Sequence, residues 1–206
     1  MMEMDLFPVL ELGWLNGWIL LVILYGTFGI LLLVFPKPVV ARLYAYDRLR
    51  WSKKQRAYHK VGKLLILVNL ILIILTPLSV GSTVFVLGVI LFVVGLTGFV
   101  IALFNFKNTP LNQPITKGLY SKSRHPQMFM LSVAGVGMCL AIGSWIALII
   151  LAISALFGRS RTLAEESALL EQYGDSYRDY MERVPRYLLI KTRVGENEKE
   201  QNGLRM

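Results

Sequence analysis

Five long blocks of apolar residues limit most strongly what this chain can fold into. A helix that crosses a bilayer needs about 20 residues, or somewhat fewer where flanking side chains reach the interface. A soluble domain of 206 residues, 55% of them hydrophobic and 17% charged, could not cover five helices that are apolar on all sides. The sequence therefore predicts an all-α integral membrane protein with five transmembrane helices, at residues 15–35, 61–78, 83–104, 128–142 and 145–157. Only Gly143 and Ser144 separate the last two blocks, which predicts a helical hairpin.

The distribution of lysine and arginine predicts the orientation of these helices. Basic residues are concentrated in residues 36–63 and 105–126 and again from Arg159 onward, whereas the connection at residues 79–83 carries no charge. Basic loops remain in the cytoplasm, so we expect the N-terminus outside and the C-terminus in the cytoplasm. The first block follows an acidic leader and precedes no small-residue cleavage pattern, so we expect a retained helix and not a signal sequence.

The net charge of +9 raises the alternative of nucleic-acid binding. A basic cytoplasmic surface that attracts anionic lipid headgroups explains the same charge, so membrane lipids are the expected partners and nucleic acid is not. The basic segment at residues 42–60 contains several aromatic residues and is predicted to be an interfacial helix or loop. A wall of a substrate entrance is the alternative interpretation of this segment.

The organisation of the chain follows from these segments. Residues 1–104 hold the first three helices and the basic loop at 36–63, and residues 105–190 hold a long loop, the hairpin and a C-terminal helix. The loop at 105–126 is rich in proline and glycine, and structureless loops of this length are often binding loops. Apolar residues at helical spacing after the last span predict a cytoplasmic amphipathic helix, interrupted near Gly174 and ended at Pro185. The polar residues 191–206 are predicted to form a disordered tail.

A few ionisable residues lie where membrane helices are predicted to meet water. His125 precedes the fourth span, and Arg161 and Glu165 are four residues apart, so they share one face if the fifth helix continues into the cytosol. Each residue alone has a plain structural explanation, as a helix start or a membrane anchor. The single cysteine, Cys139, lies in an apolar block, and the other histidine, His59, lies in a basic run, so no metal site is expected.

Taken together, these motifs resemble the isoprenylcysteine carboxyl methyltransferase family and its prokaryotic relatives, which are related to phospholipid methyltransferases. The resemblance covers roughly residues 105–186. It is carried by Gly118-Leu119-Tyr120, His125-Pro126, Arg161-Thr162, Glu165-Glu166, Tyr173-Gly174, Tyr177, Tyr180 and Val184-Pro185.

The resemblance implies that S-adenosylmethionine binds at the cytoplasmic side, between the long loop and the last two helices. The corresponding cofactor-binding residues are Asn105, Asn112, Gln113, Pro114, Ile115, Tyr120, His125, Pro126, Gln127, Met128 and Glu165. Arg161 corresponds to an arginine that relatives direct toward the substrate, so Arg161 and Glu165 are the candidate catalytic residues. No metal and no covalent intermediate are expected, because methyl transfer from a sulfonium requires an aligned acceptor and no nucleophilic residue.

The expected function is therefore an S-adenosylmethionine-dependent methyltransferase in a prokaryotic plasma membrane, with its active site facing the cytoplasm. The acceptor would be lipophilic: an isoprenylcysteine-like carboxylate, a lipid amine or a hydrophobic thiol. A membrane reductase that uses a nicotinamide cofactor is the alternative enzyme, since sterol reductases share the His-Pro, Tyr-Gly and Val-Pro elements. A non-catalytic membrane scaffold is the alternative from another class.

Overall fold

A computed structural model describes residues 4–45 and 51–188, which form a bundle of α-helices. The helices in these two ranges are α1 (Trp18–Val34), α2 (Lys37–Tyr44), α3 (Lys53–Leu75), α4 (Thr83–Lys107), α5 (Pro126–Ala141), α6 (Trp145–Tyr173) and α7 (Asp175–Arg183). A short 3-10 helix, Gly118–Ser121, lies in the connection between α4 and α5. The predicted disordered tail at 191–206 and residues 46–50 of the basic segment lie outside the described ranges.

Three of the described helices, α3, α4 and α6, are long and apolar enough to cross a membrane. Helices α1 and α5 are also apolar but shorter, with 17 and 16 residues. Large apolar side chains on the outside of the bundle are exposed, including Leu33 at 87% and Leu156 at 75%. A bilayer would cover such a surface. The helices thus fit the predicted all-α membrane fold, whereas the number of five spans and the orientation of the termini stay predictions.

Several helices extend beyond the apolar blocks that predicted them. Helix α3 begins at Lys53 because Ser52 and Gln55 form a capping box: Gln55 N donates to Ser52 Oγ (3.1 Å) and Ser52 N donates to Gln55 Oε1 (2.9 Å). Helix α6 continues without a break to Tyr173, where Gly174 ends it with a φ of +56°. Helix α4 runs to Lys107, so Asn105 lies in its last turns and not in the loop. Capping, and not the limit of the apolar pattern, therefore decides where α3 begins and where α6 ends.

Helix α4 packs along α5, and α3 packs along α6. Small residues bring the backbones of α4 and α5 together. A Cβ atom on Gly88 would lie 2.7 Å from the carbonyl oxygen of Gly137, and one on Gly95 would lie 2.7 Å from that of Met130. Close backbone approach of this kind is how membrane helices gain packing contacts without a hydrophobic driving force.

The two ends of the bundle differ in chemistry. At one end the N-terminal segment crosses the helix connections, with Asp5 N donating to Gly143 O (2.9 Å) and Glu11 N to Leu75 O (2.8 Å). The other end gathers the basic segments, where Arg42 reaches Pro110 and Arg124 reaches Glu166. The described parts of the basic regions that the sequence assigned to one side of the membrane therefore lie at one end of the bundle.

Candidate functional site

A cavity of about 350 Å³ lies at the basic end, between α2, the loop before α5 and the last turns of α6. Its volume is typical of a small-molecule site. Charged, aromatic and apolar side chains line it together: Pro38, Arg42, Leu43, Ala45, Trp51, Phe106, Leu111, Pro114, Ile115, Tyr120, Arg124, Gln127, Arg161, Ala164, Glu165, Ala168, Leu169, Gln172, Tyr173, Tyr177 and Tyr180. The mixture suits a ligand with both polar and apolar parts.

The cavity brings together half of the residues predicted for the site, namely Pro114, Ile115, Tyr120, Gln127, Arg161 and Glu165. Arg161 and Glu165 both belong to α6, and because this helix is continuous they lie one turn apart on the same face. The prediction that these two residues share a face is therefore confirmed. The side chain of Glu165 is 27% exposed, so its carboxylate can reach a ligand.

The remaining predicted residues lie around the cavity and do not line it. Asn105 faces Gly118, where a Cβ atom would collide with the asparagine amide. Pro126 is the first residue of α5, and the Met128 sulfur accepts from the Thr162 hydroxyl at 3.7 Å. Asn112, Gln113 and His125 are the other three predicted residues that do not line the cavity. These residues are placed to shape the walls of the cavity.

Glu166, next to Glu165, is the centre of a buried ion cluster that includes the cavity-lining Arg124. Its carboxylate accepts from Nε (3.2 Å) and Nη2 (2.9 Å) of Arg186, and it lies 3.0 Å from Nη1 of Arg124. Nε2 of His125 lies 3.2 Å from the same carboxylate. Glu166 is fully buried and Arg124, His125 and Arg186 are nearly so, which requires that the charges of the carboxylate and the two guanidinium groups be paired. This ion cluster, Arg124, His125, Glu166 and Arg186, therefore has a structural function.

His125 lies between the two neighbouring glutamates. Its Nδ1 is 3.9 Å from Glu165 Oε2, while its Nε2 faces Glu166. The imidazole thus lies between the two carboxylates, although it does not line the cavity itself.

The segment after α7 ties the start of α5 to the bundle. Arg124 N donates to Pro185 O (2.9 Å), His125 N to Arg186 O (3.3 Å), and Ser123 Oγ to Arg186 O (3.0 Å). These backbone contacts fix the residues that begin α5. The Val-Pro-Arg element therefore serves the site by holding the His-Pro element in place.

The tyrosines of α7, which belong to the segment predicted to be an amphipathic helix, close one side of the cavity. Tyr177 and Tyr180 are 3% exposed, and the Tyr180 hydroxyl donates to Tyr120 O at 2.7 Å. Burial raises the pKa of Tyr177 well above its usual value and also raises the pKa of Tyr180. Both rings therefore stay neutral and exclude water from this side.

Within residues 4–45 and 51–188, two cavity-lining side chains hold buried donors without a hydrogen-bond acceptor: Nε2 of Gln127, and Nε and Nη2 of Arg124. Burial lowers the pKa of the Arg124 guanidinium, and the Glu166 carboxylate opposes this shift. Unpaired buried donors are costly, so they favour a ligand that brings acceptor atoms. Together with the Glu165 carboxylate, they fit S-adenosylmethionine, which has a cationic sulfonium and amino group and also a carboxylate, hydroxyls and ring nitrogens.

Sequence reasoning did not include several residues that line the cavity. Arg42 and Trp51 come from the basic segment, for which a wall of a substrate entrance was only the alternative interpretation. Arg124 was interpreted only as a basic loop residue, and the burial of Glu166 was not predicted. The interleaving of aromatic and basic residues at 42–60 was the available signal for the first two. No local signal marks Glu166, because its partners are 20 and more residues away.

Comparison with known families identifies the family of the chain. A family model described as phospholipid methyltransferase matches residues 59–176, more than half of the chain. That family covers the isoprenylcysteine carboxyl methyltransferase-like proteins that the motifs resemble, so the resemblance is confirmed. The match includes Gln127, Arg161 and Glu165 but excludes Arg42 and Arg186. No curated protein matches the chain significantly.

Proposed function

Because the chain belongs to the phospholipid methyltransferase family, whose members are membrane methyltransferases, we propose that it methylates a lipophilic acceptor with S-adenosylmethionine at the cytoplasmic membrane face. The observation that carries this proposal is the position of Glu165 and Arg161. Both line one cavity at the basic end of a bundle of membrane-length helices. A polar cofactor can reach this end from water, while an apolar acceptor can arrive from the bilayer.

Different residues in and around the cavity are proposed to contact different groups of the cofactor. The Glu165 carboxylate accepts hydrogen bonds from hydroxyl or amino groups, and it offsets a cationic charge. Gln127 Nε2, buried and without an acceptor among the described residues, donates to a ligand oxygen or ring nitrogen. His125 lies beside the Glu165 carboxylate, and the α7 tyrosines keep water out.

The cofactor, when bound, supplies an electrophilic methyl group on a sulfonium. The protein then needs to align the acceptor atom and to limit its solvation, which accounts for much of the rate increase in reactions of this type. No side chain has to act as a nucleophile. Cys139 is buried in the core with Ile142 and Phe92, so we expect it to be dispensable for turnover.

Arg161 is proposed to position the acceptor. Its planar guanidinium can bind a carboxylate or phosphate with two parallel hydrogen bonds. An isoprenylcysteine-like carboxylate and the phosphate of an amino phospholipid fit this role directly. A hydrophobic thiol would use the apolar part of the cavity instead.

Titration of S-adenosylmethionine and S-adenosylhomocysteine into detergent-purified protein tests the proposal. We expect wild type to bind both ligands and Glu165→Ala to bind at least about tenfold more weakly, because a hydrogen bond to a charged group contributes roughly 1.5–3 kcal/mol. Glu182→Ala, an exposed glutamate on α7, is the matched control and should bind as wild type does. Arg161→Ala should retain cofactor binding and raise the KM for the acceptor.

Two results would contradict the proposal. Well-folded wild type that binds neither ligand, while a nicotinamide dinucleotide raises its melting temperature, would favour a reductase. Full turnover by Arg161→Ala with normal acceptor affinity would remove the proposed role of that residue.

A further inference from the structure

Arg42, on α2, makes an unusual set of contacts with the loop that follows α4. Its Nη1 donates to Thr109 O (3.3 Å) and Pro110 O (3.0 Å), and its Nη2 donates to Gln113 O (2.6 Å). The Arg42 guanidinium also lies 5.3 Å from the centre of the Phe106 ring. One side chain thus binds three carbonyl groups along five residues of the loop.

Tyr173, the last residue of α6, completes this arrangement. Its hydroxyl accepts from Arg42 Nη2 (3.3 Å) and donates to Leu111 O (3.3 Å). Helices α2 and α6, which are far apart in sequence, therefore hold the same loop from two sides. We call Arg42 and Tyr173 the loop clamp, and residues 108–115 the cofactor loop.

The cofactor loop depends on this clamp because it has little backbone structure of its own. Between residues 110 and 115, the described backbone hydrogen bond is the long one from Gln113 N to Pro110 O (3.3 Å). The next two residues, Pro114 and Ile115, line the cavity, and so does Leu111. The position of the loop therefore determines the shape of the cavity on this side.

We propose that Arg42 is a positioning residue that holds the cofactor loop closed over the cavity, so that the clamp controls how quickly the cofactor product leaves. This inference rests on the proposed function. Arg42 touches the loop that covers the ligand, and it acts through that loop. All four of its acceptors are neutral oxygen atoms, so the forked geometry of the guanidinium matters more than its charge.

Lysine and phenylalanine variants separate geometry from charge. Arg42→Lys keeps the positive charge but carries all its donors on one nitrogen, so it cannot reach the separate acceptors of Nη1 and Nη2, and we expect it to behave more like Arg42→Ala than like wild type. Tyr173→Phe removes one hydroxyl and should give a smaller effect in the same direction. Tyr44→Phe, an exposed tyrosine at the end of α2, and Arg183→Lys, an exposed arginine that donates within its own helix, are the matched controls.

The experiment has two measurements on the full-length protein in detergent or nanodiscs. Hydrogen exchange of the two amides at residues 109–115 that donate hydrogen bonds, Thr109 N to Phe106 O and Gln113 N to Pro110 O, reports the clamp in the absence of ligand. We expect exchange about tenfold faster in Arg42→Ala and Arg42→Lys, and less than that in Tyr173→Phe, because charged hydrogen bonds to the loop are lost. The dissociation rate of S-adenosylhomocysteine should rise in the same order, with both controls unchanged.

Three outcomes would contradict the clamp, its control of product release, or the proposed function. Unchanged exchange at residues 109–115 in folded Arg42→Ala, or in Tyr173→Phe if the arginine variants do not fold, would overturn the clamp. Faster exchange with an unchanged dissociation rate would overturn the positioning role alone. Failure of folded wild type to bind S-adenosylhomocysteine would instead overturn the proposed function, which separates the two ideas.

Discussion

Replacement of Glu166 by glutamine should show how much the protein depends on its buried ion cluster. The Glu166 side chain is fully buried, and its carboxylate takes two donors of Arg186 at 2.9–3.2 Å while lying 3.0 Å from Arg124 Nη1. Glutamine has nearly the same volume, so no cavity forms. It removes the negative charge and turns an NH₂ group toward a guanidinium. Two buried cations would then face each other without the carboxylate that both of them contact.

The magnitude follows from the cost of uncompensated buried charge. Breaking a buried ion pair by removing one partner costs about 3–5 kcal/mol. For a chain of this size, that loss lowers the melting midpoint by roughly 6–20 °C. Glu165→Gln, one residue earlier, removes a carboxylate that is 27% exposed and 3.9 Å from His125, so its cost should stay below about 1 kcal/mol.

Thermal unfolding of the two variants in the same detergent compares them directly. We expect opposite phenotypes from substitutions of these adjacent glutamates. The Glu166→Gln protein should be unstable, whereas the Glu165→Gln protein should be stable but bind S-adenosylhomocysteine weakly. A Glu166→Gln protein that melts within about 2 °C of wild type would refute the structural function of the cluster. Equal destabilisation by both variants would refute the distinction between the two residues.

Two further predictions concern α7 and the α4–α5 interface. Because burial raises the pKa of Tyr180, the unfolded chain loses this proton first as the pH rises, and stability should fall above about pH 10. Tyr180→Phe should therefore flatten the loss of stability above about pH 10, while costing about 1 kcal/mol at neutral pH, where the buried Tyr120 carbonyl loses this donor; an unchanged alkaline slope would contradict this. Gly95→Ala should destabilise by about 1–3 kcal/mol, since its Cβ would lie 2.7 Å from Met130 O. Gly26→Ala, which meets nothing within 4 Å, should not destabilise in the same melting assay, and equal effects would refute the close-packing argument.

Part of the site could be predicted from sequence because it is local. Arg161 and Glu165 share a face for the simple reason that four residues make about one helical turn, and α6 is continuous across the end of its apolar block. The same reasoning could not distinguish Glu165 from Glu166. Adjacent residues point in different directions on a helix, and which direction is buried depends on what packs against it.

The part of the cavity wall formed by α2 could not be predicted from the sequence either. The basic segment was correctly placed at the charged end of the helices, since positive charge avoids the bilayer. Among the described residues, no hydrogen bond of the Arg42 side chain to a nearby residue marks it for the site. Its partners are 67–131 residues away and are mostly backbone carbonyl groups, which every sequence contains.

The sequence by itself determined the membrane class, the basic end of the bundle and the motifs of the methyltransferase resemblance. Hydrophobicity, charge and helical spacing are properties of short segments, so they can be interpreted without knowing the fold. The tertiary structure alone decided that Glu166 joins Arg124 and Arg186, and that Arg42 and Tyr173 meet over the cofactor loop. These contacts join residues 20–131 positions apart, and only the packing of the helices brings such distant groups within hydrogen-bonding distance.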